Sequence, residues 1–131
     1  MICATGAHIN ADESAASERF IGCRLVDVPT TDGKLTVDLL RQNIVRVGDV
    51  HHVQAAVVVI SQPTELGTIY SIEEIRSLSE FAHANGLRVF MDGARISNAA
   101  AALDAPFRAF TRDAGVDVVT FDHEHVPQEI V

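Results

Sequence analysis

The sequence predicts an α/β fold with three layers, in which helices cover both faces of a mainly parallel sheet. Residues 55–60, AAVVVI, are apolar at every position, so both faces of this strand should be buried, as in a central parallel strand. Residues 70–86, YSIEEIRSLSEFAHANG, carry the start and stop signals of a helix. Strand and helix patterns alternate along the rest of the chain, which is typical of a parallel sheet.

The first part of the chain contains a strand, a turn and a helix. Residues 23–29, CRLVDVP, are rich in Val and Leu and end at a proline, which predicts a strand. The Asp-Gly pair in TTDGKLT predicts a turn that carries Lys34, the single lysine of the chain, at the surface. A helix over TVDLLRQNIV follows, with Thr36 as its N-cap.

The helix after Tyr70 has the clearest signals. Ser71 can cap its free amides while Glu74 reaches back to the amide of Ser71, and Tyr70 with Ile75 fits a hydrophobic staple. Gly86 supplies a left-handed end. The expected buried stripe consists of Ile72, Ile75, Leu78, Phe81 and Ala82.

Three further elements complete the alternation. LRVFM at 87–91 predicts a strand, SNAAAALDA at 97–105 a short helix and VDVVTF at 116–121 another strand. Residues 1–121 are therefore expected to be part of one domain. Residues 122–131, DHEHVPQEIV, break the pattern and are expected to be a divergent tail.

Composition excludes several classes of function. The net charge of −8 and ten scattered Lys and Arg residues argue against a nucleic-acid partner, which needs clustered cations. No apolar run approaches the roughly 20 residues that cross a bilayer, and the N-terminus has no secretory pattern. Two cysteines without paired spacing, Cys3 and Cys23, indicate a reduced cytoplasmic protein.

Polar side chains follow the predicted strands where each strand ends. His8 follows MICATGA, residues 61–65 follow AAVVVI, Asp92 follows LRVFM and Asp122 follows VDVVTF. Ligands of open α/β sheets bind at the carboxyl ends of the strands, so these groups outline a candidate site. The alternative is that polar residues simply begin where strands end.

Six segments, taken in order, resemble the threonine aldolase and β-eliminating lyase family, which has the aspartate-aminotransferase fold (fold type I) and depends on pyridoxal phosphate. They are AHINADE, TDGKLT, PTELGTIYS, FAHANGL, MDGARISNAA and AGVDVVTF. The resemblance runs from about residue 2 to residue 121. It implies that residues 1–121 are part of the large domain of such an enzyme.

The resemblance implies a role for five residues. Asp92 matches the aspartate that pairs with the pyridine nitrogen of the cofactor, and Arg95 matches the arginine that holds the substrate carboxylate. His8 matches the histidine that stacks on the cofactor ring near the substrate hydroxyl. Glu13 matches an acid that positions this histidine or a water, and Thr64 matches a cofactor-contacting threonine. Alternatively, Asp92 caps the turn GARIS, Arg95 pairs with Asp92, and the other three are ordinary loop residues.

Metal binding is the less favoured interpretation of the remaining histidines. Imidazole and carboxylate ligands must converge in groups of three or four. His51 and His52 precede a strand at the opposite edge of the sheet, and the DHEH segment lies in the irregular tail. We expect no metal site.

The family's covalent lysine follows the strand that matches VDVVTF, and no lysine stands there in this chain. MICA at the start reads as the end of a buried segment, and the family's phosphate-binding loop and small domain find no match. We therefore expect a truncated piece or a decayed product that is inactive alone.

The resemblance implies a pyridoxal-phosphate lyase that cleaves a β-hydroxy amino acid to glycine and an aldehyde, or a relative that performs β-elimination. The family acts on small amino acids as a homo-oligomer, typically a tetramer. The alternative is a non-catalytic α/β ligand-binding or scaffold module, although no glycine-rich phosphate motif supports a nucleotide.

Overall fold

The computed structural model describes residues 1–121, so the predicted tail and its DHEH segment lie outside the described residues. The strands are β1 (Ile2–Ala4), β2 (Val26–Val28), β3 (Val57–Ser61), β4 (Arg88–Asp92) and β5 (Val118–Thr120). The α-helices are α1 (His8–Ala11), α2 (Val37–Asn43), α3 (Ile72–Ala84), α4 (Ile96–Leu103) and α5 (Phe107–Phe110). A π-helical turn spans Ser17–Ile21, and a 3-10 turn spans Arg112–Ala114.

All five strands are parallel, in the order β2-β1-β3-β4-β5, which confirms the predicted α/β class. The chain moves from β1 outward to β2 and then returns to place β3 on the other side of β1. The order therefore reverses between β1 and β3. Such a reversal opens a crevice at the carboxyl ends of the two strands, where open α/β sheets bind ligands.

The two outer strands are shorter than predicted, because each is limited to the residues that pair with its neighbour. β2 covers only Val26–Val28 of the predicted residues 23–29, since β1 offers three residues for pairing. β5 covers Val118–Thr120 of the predicted residues 116–121 and pairs with the last three residues of β4.

The central strand β3 is covered on both faces, as predicted. Successive residues of a strand point to opposite faces, yet Val58, Val59, Ile60 and Ser61 are all buried. Helix α3 packs against the neighbouring strand β4. Within residues 1–121, no helix is long and apolar enough to cross a membrane.

Helix α3 begins with the predicted capping box. The Glu74 amide donates to Ser71 Oγ at 3.1 Å, and the Ser71 amide donates to Glu74 Oε2 at 2.7 Å. Both staple residues, Tyr70 and Ile75, are buried, and Gly86 has φ +75°. Leu78 and Ala82 are buried, and Ile72 and Phe81 pack against the core.

The Asp-Gly turn is present, but Lys34 is not a free surface lysine. Gly33 has φ +80°, and Asp32 Oδ1 accepts the Lys34 amide. The Lys34 side chain is only 18% exposed because its Nζ lies 2.7 Å from Glu74 Oε1 and 5.6 Å from the centroid of the Tyr70 ring. The turn therefore lies at the surface as predicted, whereas most of the Lys34 side chain is covered.

The segment after β1 has structure that the sequence analysis did not predict. Helix α1 ends at Ala11, Ser14 and Ala15 have positive φ values of 51° and 56°, and the π-helical turn follows. Positive φ is uncommon for residues with a side chain, and π-helical turns often occur at functional sites. Residues 8–21 thus form an unusual covering segment at the carboxyl end of β1.

Candidate active site at the carboxyl ends of the strands

A cavity of about 630 Å³ opens above the carboxyl ends of β3, β4 and β5. Alternate residues of two strands form its floor: Val59 and Ser61 of β3 lie beside Phe90 and Asp92 of β4. These residues share one face because Val59 is paired with Phe90, and Ser61 is paired with Asp92. The volume is within the range of roughly 300–1,000 Å³ that is typical of small-molecule sites.

The covering segment forms the other wall of the cavity. His8, Ile9, Glu13, Ser17 and Phe20 of this segment line it. The cavity therefore brings together His8, Glu13, Asp92 and Arg95, four of the five residues to which the sequence analysis gave a role.

Asp92 ends β4 and is half-buried at the cavity floor. Its Oδ1 accepts the amide of Ala94 at 3.1 Å, so the carboxylate does cap the turn that follows, as the alternative interpretation predicted. One oxygen is thereby fixed in direction. Within residues 1–121, the other oxygen, Oδ2, accepts no hydrogen bond from protein, so it can interact with a ligand.

Arg95 stands at the start of α4 and pairs with Glu65, not with Asp92. The distance from Arg95 Nη2 to Glu65 Oε1 is 3.7 Å, which is an ion pair but too long for a hydrogen bond. The Arg95 side chain is 41% exposed, so its guanidinium retains donors for a second carboxylate.

His8 and Glu13 form a pair on the covering segment. His8 Nδ1 lies 2.9 Å from Glu13 Oε1, and both side chains are about half exposed. When Nδ1 carries the proton, Nε2 is an acceptor on the opposite side of the ring. The carboxylate thus orients the imidazole and favours this tautomer.

Glu65, for which the sequence predicted no individual role, contacts three residues that line the cavity. Its Oε1 accepts the Ser61 hydroxyl at 3.1 Å and the His8 amide at 3.1 Å, and it also faces Arg95. The sequence placed 61–65 at the correct edge. It contained no signal that Glu65 reaches the loop after β1, because that contact joins residues 57 positions apart.

Thr64 does not join the other four residues. It is 2% exposed, and its Oγ1 lies 2.7 Å from Thr68 Oγ1. A Cβ on Gly33 would stand 2.9 Å from that same oxygen. Thr64 therefore packs beneath the turn that contains Gly33, and it does not line the cavity.

A second cavity of about 570 Å³ lies at the amino ends of the strands. Its lining includes Cys23, Arg24 and His52, and none of the described residues that line it has a carboxylate. It offers no acid–base pair, so the carboxyl-end cavity is the better candidate for chemistry. In the described part of the chain, no three His, Cys, Asp or Glu residues are arranged to hold a metal.

The residues of the carboxyl-end cavity fit the ring of pyridoxal phosphate better than its phosphate. Asp92 offers a carboxylate to a ring nitrogen, and Val59 and Phe90 offer an apolar floor. Among the lining residues within 1–121, Arg95 is the one cationic side chain apart from the imidazole of His8. Lys34 is held by Glu74 away from this cavity.

The sequence profile of the beta-eliminating lyase family matches residues 1–124. The chain belongs to this family. A low specificity L-threonine aldolase from a Pseudomonas species is 38% identical over 122 residues, which cover 92% of this chain and 35% of that protein. The chain thus spans about a third of the length of this relative.

Solved structures of family members and neighbours agree with the fold. The threonine aldolase of Leishmania major superimposes with a TM-score of 0.72 and 34% identity, over 76% of this chain and 29% of that one. The PLP-bound C-S lyase of Staphylococcus hominis gives a TM-score of 0.63 over 94% of this chain and 31% of that one. At 14% identity, the second likeness concerns the fold alone.

Proposed function

We propose that residues 1–121 form part of the large domain of a pyridoxal-phosphate lyase that acts on β-hydroxy amino acids. The observation that carries the proposal is the single cavity shared by Asp92, Arg95 and the His8–Glu13 pair. Membership of the beta-eliminating lyase family and the threonine aldolase relatives support the same chemistry.

The cofactor, when bound, withdraws electrons from the substrate's α-carbon through its protonated ring. Asp92 would hold the protonated ring nitrogen through its carboxylate, one oxygen of which is not engaged by the Ala94 amide. A carboxylate does this well because it favours the positively charged form of the ring nitrogen. Val59 and Phe90 would pack against the ring from the floor of the cavity.

Arg95 binds the substrate carboxylate. Its planar guanidinium can donate two parallel hydrogen bonds, which fixes the orientation of the amino acid as well as its position. The weak 3.7 Å contact to Glu65 leaves those donors available.

His8 serves as the base for the substrate hydroxyl, with Glu13 as the residue that orients it. The Glu13 carboxylate accepts from Nδ1, which leaves Nε2 free to receive the hydroxyl proton when the Cα–Cβ bond breaks. The carboxylate also stabilises the imidazolium that results.

Lys34 takes no part in this proposal because it is tied to Glu74 outside the cavity. We infer that the 131-residue chain holds the cofactor without a covalent bond and does not catalyse by itself. Pyridoxal 5′-phosphate and pyridoxine 5′-phosphate, which has no aldehyde, should therefore bind with equal affinity.

Equilibrium dialysis of the chain with pyridoxine 5′-phosphate tests the role of Asp92. Asp92→Asn should weaken binding about tenfold, because a charge-assisted hydrogen bond is replaced by a neutral one. The matched control is Asp38→Asn, which removes a carboxylate that is 81% exposed on α2 and should change nothing. Equal affinity of Asp92→Asn and the wild type would contradict the proposal.

A further inference from the structure

Glu65 lies next to the candidate site, outside the residues that line the cavity. It touches three cavity-lining residues, His8, Ser61 and Arg95, but does not line the cavity itself. Glu65 and Ser61 belong to the end of β3 and the residues after it, whereas His8 starts α1 and Arg95 stands at the start of α4. A single oxygen, Oε1, makes all three contacts.

Two of these contacts fix the carboxylate in place. The His8 amide and the Ser61 hydroxyl each donate to Oε1 at 3.1 Å, and the Glu65 side chain is only 22% exposed. Hydrogen bonds to a charged acceptor are stronger than neutral ones. The negative charge therefore has a defined position, and the start of the covering segment is tied to the end of β3.

The third contact acts on the side chain that binds the substrate carboxylate. Oε1 lies 3.7 Å from Arg95 Nη2, within reach of charge attraction but beyond a hydrogen bond. Glu65 can thus restrict the guanidinium without occupying its donors. Because Glu65 stands outside the lining, it does not take the place of an incoming carboxylate.

We propose that Glu65 is a positioning residue that holds Arg95 toward an amino-acid carboxylate and ties the start of the covering segment to the end of β3. This inference rests on the proposed function, since it assumes that Arg95 receives a carboxylate. The two tasks need different properties of the side chain. The tie to His8 needs only a hydrogen-bond acceptor, whereas the hold on Arg95 needs the negative charge.

Two substitutions separate these tasks. Glu65→Gln keeps an acceptor oxygen for the His8 amide and removes the charge, whereas Glu65→Ala removes both. The matched control is Glu80→Gln, which removes the same charge from an exposed position on α3. Two NMR readouts on the 131-residue chain apply: the Arg95 Nε–H resonance during a glycine titration and the hydrogen-exchange rate of the His8 amide.

Glu65→Gln should weaken glycine binding about threefold, the scale of a partly exposed ion pair, and leave the His8 amide exchange rate unchanged. Glu65→Ala should weaken glycine binding equally and also accelerate exchange of the His8 amide. Glu80→Gln should match the wild type in both readouts. A merely structural role would leave glycine binding unchanged in Glu65→Gln, because the acceptor oxygen for the His8 amide remains.

Other outcomes overturn the inference, and they distinguish failure of the proposed function from failure of the role of Glu65. If glycine does not shift Arg95 Nε–H in the wild type, the carboxylate site fails and the proposed function fails with it. If the wild type binds glycine and Glu65→Gln binds it equally well, only the role of Glu65 fails. Acceleration of His8 exchange in Glu65→Gln would likewise reject the acceptor role.

Discussion

Gly93 sits between Asp92 and the turn that leads to Arg95, and it has no room for a side chain. A Cβ at this position would stand 2.5 Å from the carbonyl oxygen of Thr120 and 3.2 Å from a methyl group of Val119. The Gly93 amide also donates to the Thr120 carbonyl at 3.0 Å. The close approach to β5 therefore fixes the path of the backbone directly after Asp92.

Gly93→Ala should lower the free energy of unfolding by about 1–3 kcal/mol, because the backbone of Thr120 cannot yield as a flexible side chain would. The measurement is urea unfolding followed by circular dichroism. Gly6→Ala is the matched control, since nothing lies within 4 Å of a Cβ there. A loss of stability as large in Gly6→Ala would show that the effect is not steric.

The two cysteines also differ at the scale of single residues. Both are free, Cys3 in the buried β1 and Cys23 half-buried. Burial raises the pKa of the Cys3 thiol to about 11. The thiolate is the reactive form, so Cys3 is a packing residue.

Among the elements, α3 is the one that local sequence predicted most completely. Its capping box, stripe and left-handed end were all readable because each signal lies within a few residues of the others. The segment of residues 8–21 was not predicted, since positive φ at Ser14 and Ala15 and a π-helical turn have no local sequence signature. The segment lines the cavity and contacts Glu65, so its conformation depends on residues that are distant in the sequence.

Ser71→Ala should destabilise the protein by about 1 kcal/mol, because the Glu74 amide loses its acceptor at the start of α3. Ser77→Ala, at an exposed position inside the same helix, should be neutral or slightly stabilising, since Ala has the higher helix propensity. The measurement is the urea midpoint of each variant. Equal effects of the two substitutions would show that the Ser71 cap does not stabilise α3.

At the scale of the molecule, the strand order could not be read from the chain. The sequence predicted that Asp92, His8 and residues 61–65 lie at one edge, which parallel strands require. It did not predict that β3 returns to the far side of β1, which brings the loops after β1 and β3 together at Glu65. It identified Asp92 and Arg95 as a possible ion pair, whereas Arg95 instead faces Glu65.

Asp117 connects three elements at the other end of the sheet, just before β5. Its carboxylate accepts the Val89 amide of β4 at 2.7 Å and lies 2.8 Å from His83 Nε2 of α3 and 3.0 Å from Arg88 Nη1. Burial favours the neutral acid, but these hydrogen bonds outweigh it, and the pKa of Asp117 lies below its ordinary value of 3.8.

This lowered pKa gives the direction of a pH effect on the whole fold. The unfolded chain binds the proton more tightly, so Asp117 stabilises the folded state above pH 3.8, and this contribution is lost as the pH falls through the folded-state pKa. Urea unfolding between about pH 6 and about pH 3 should show a smaller decline for Asp117→Asn than for the wild type. Asp38→Asn, which removes an exposed carboxylate of α2, should keep the wild-type decline. An unchanged slope in Asp117→Asn would mean that α3, β4 and β5 are not held together through this carboxylate.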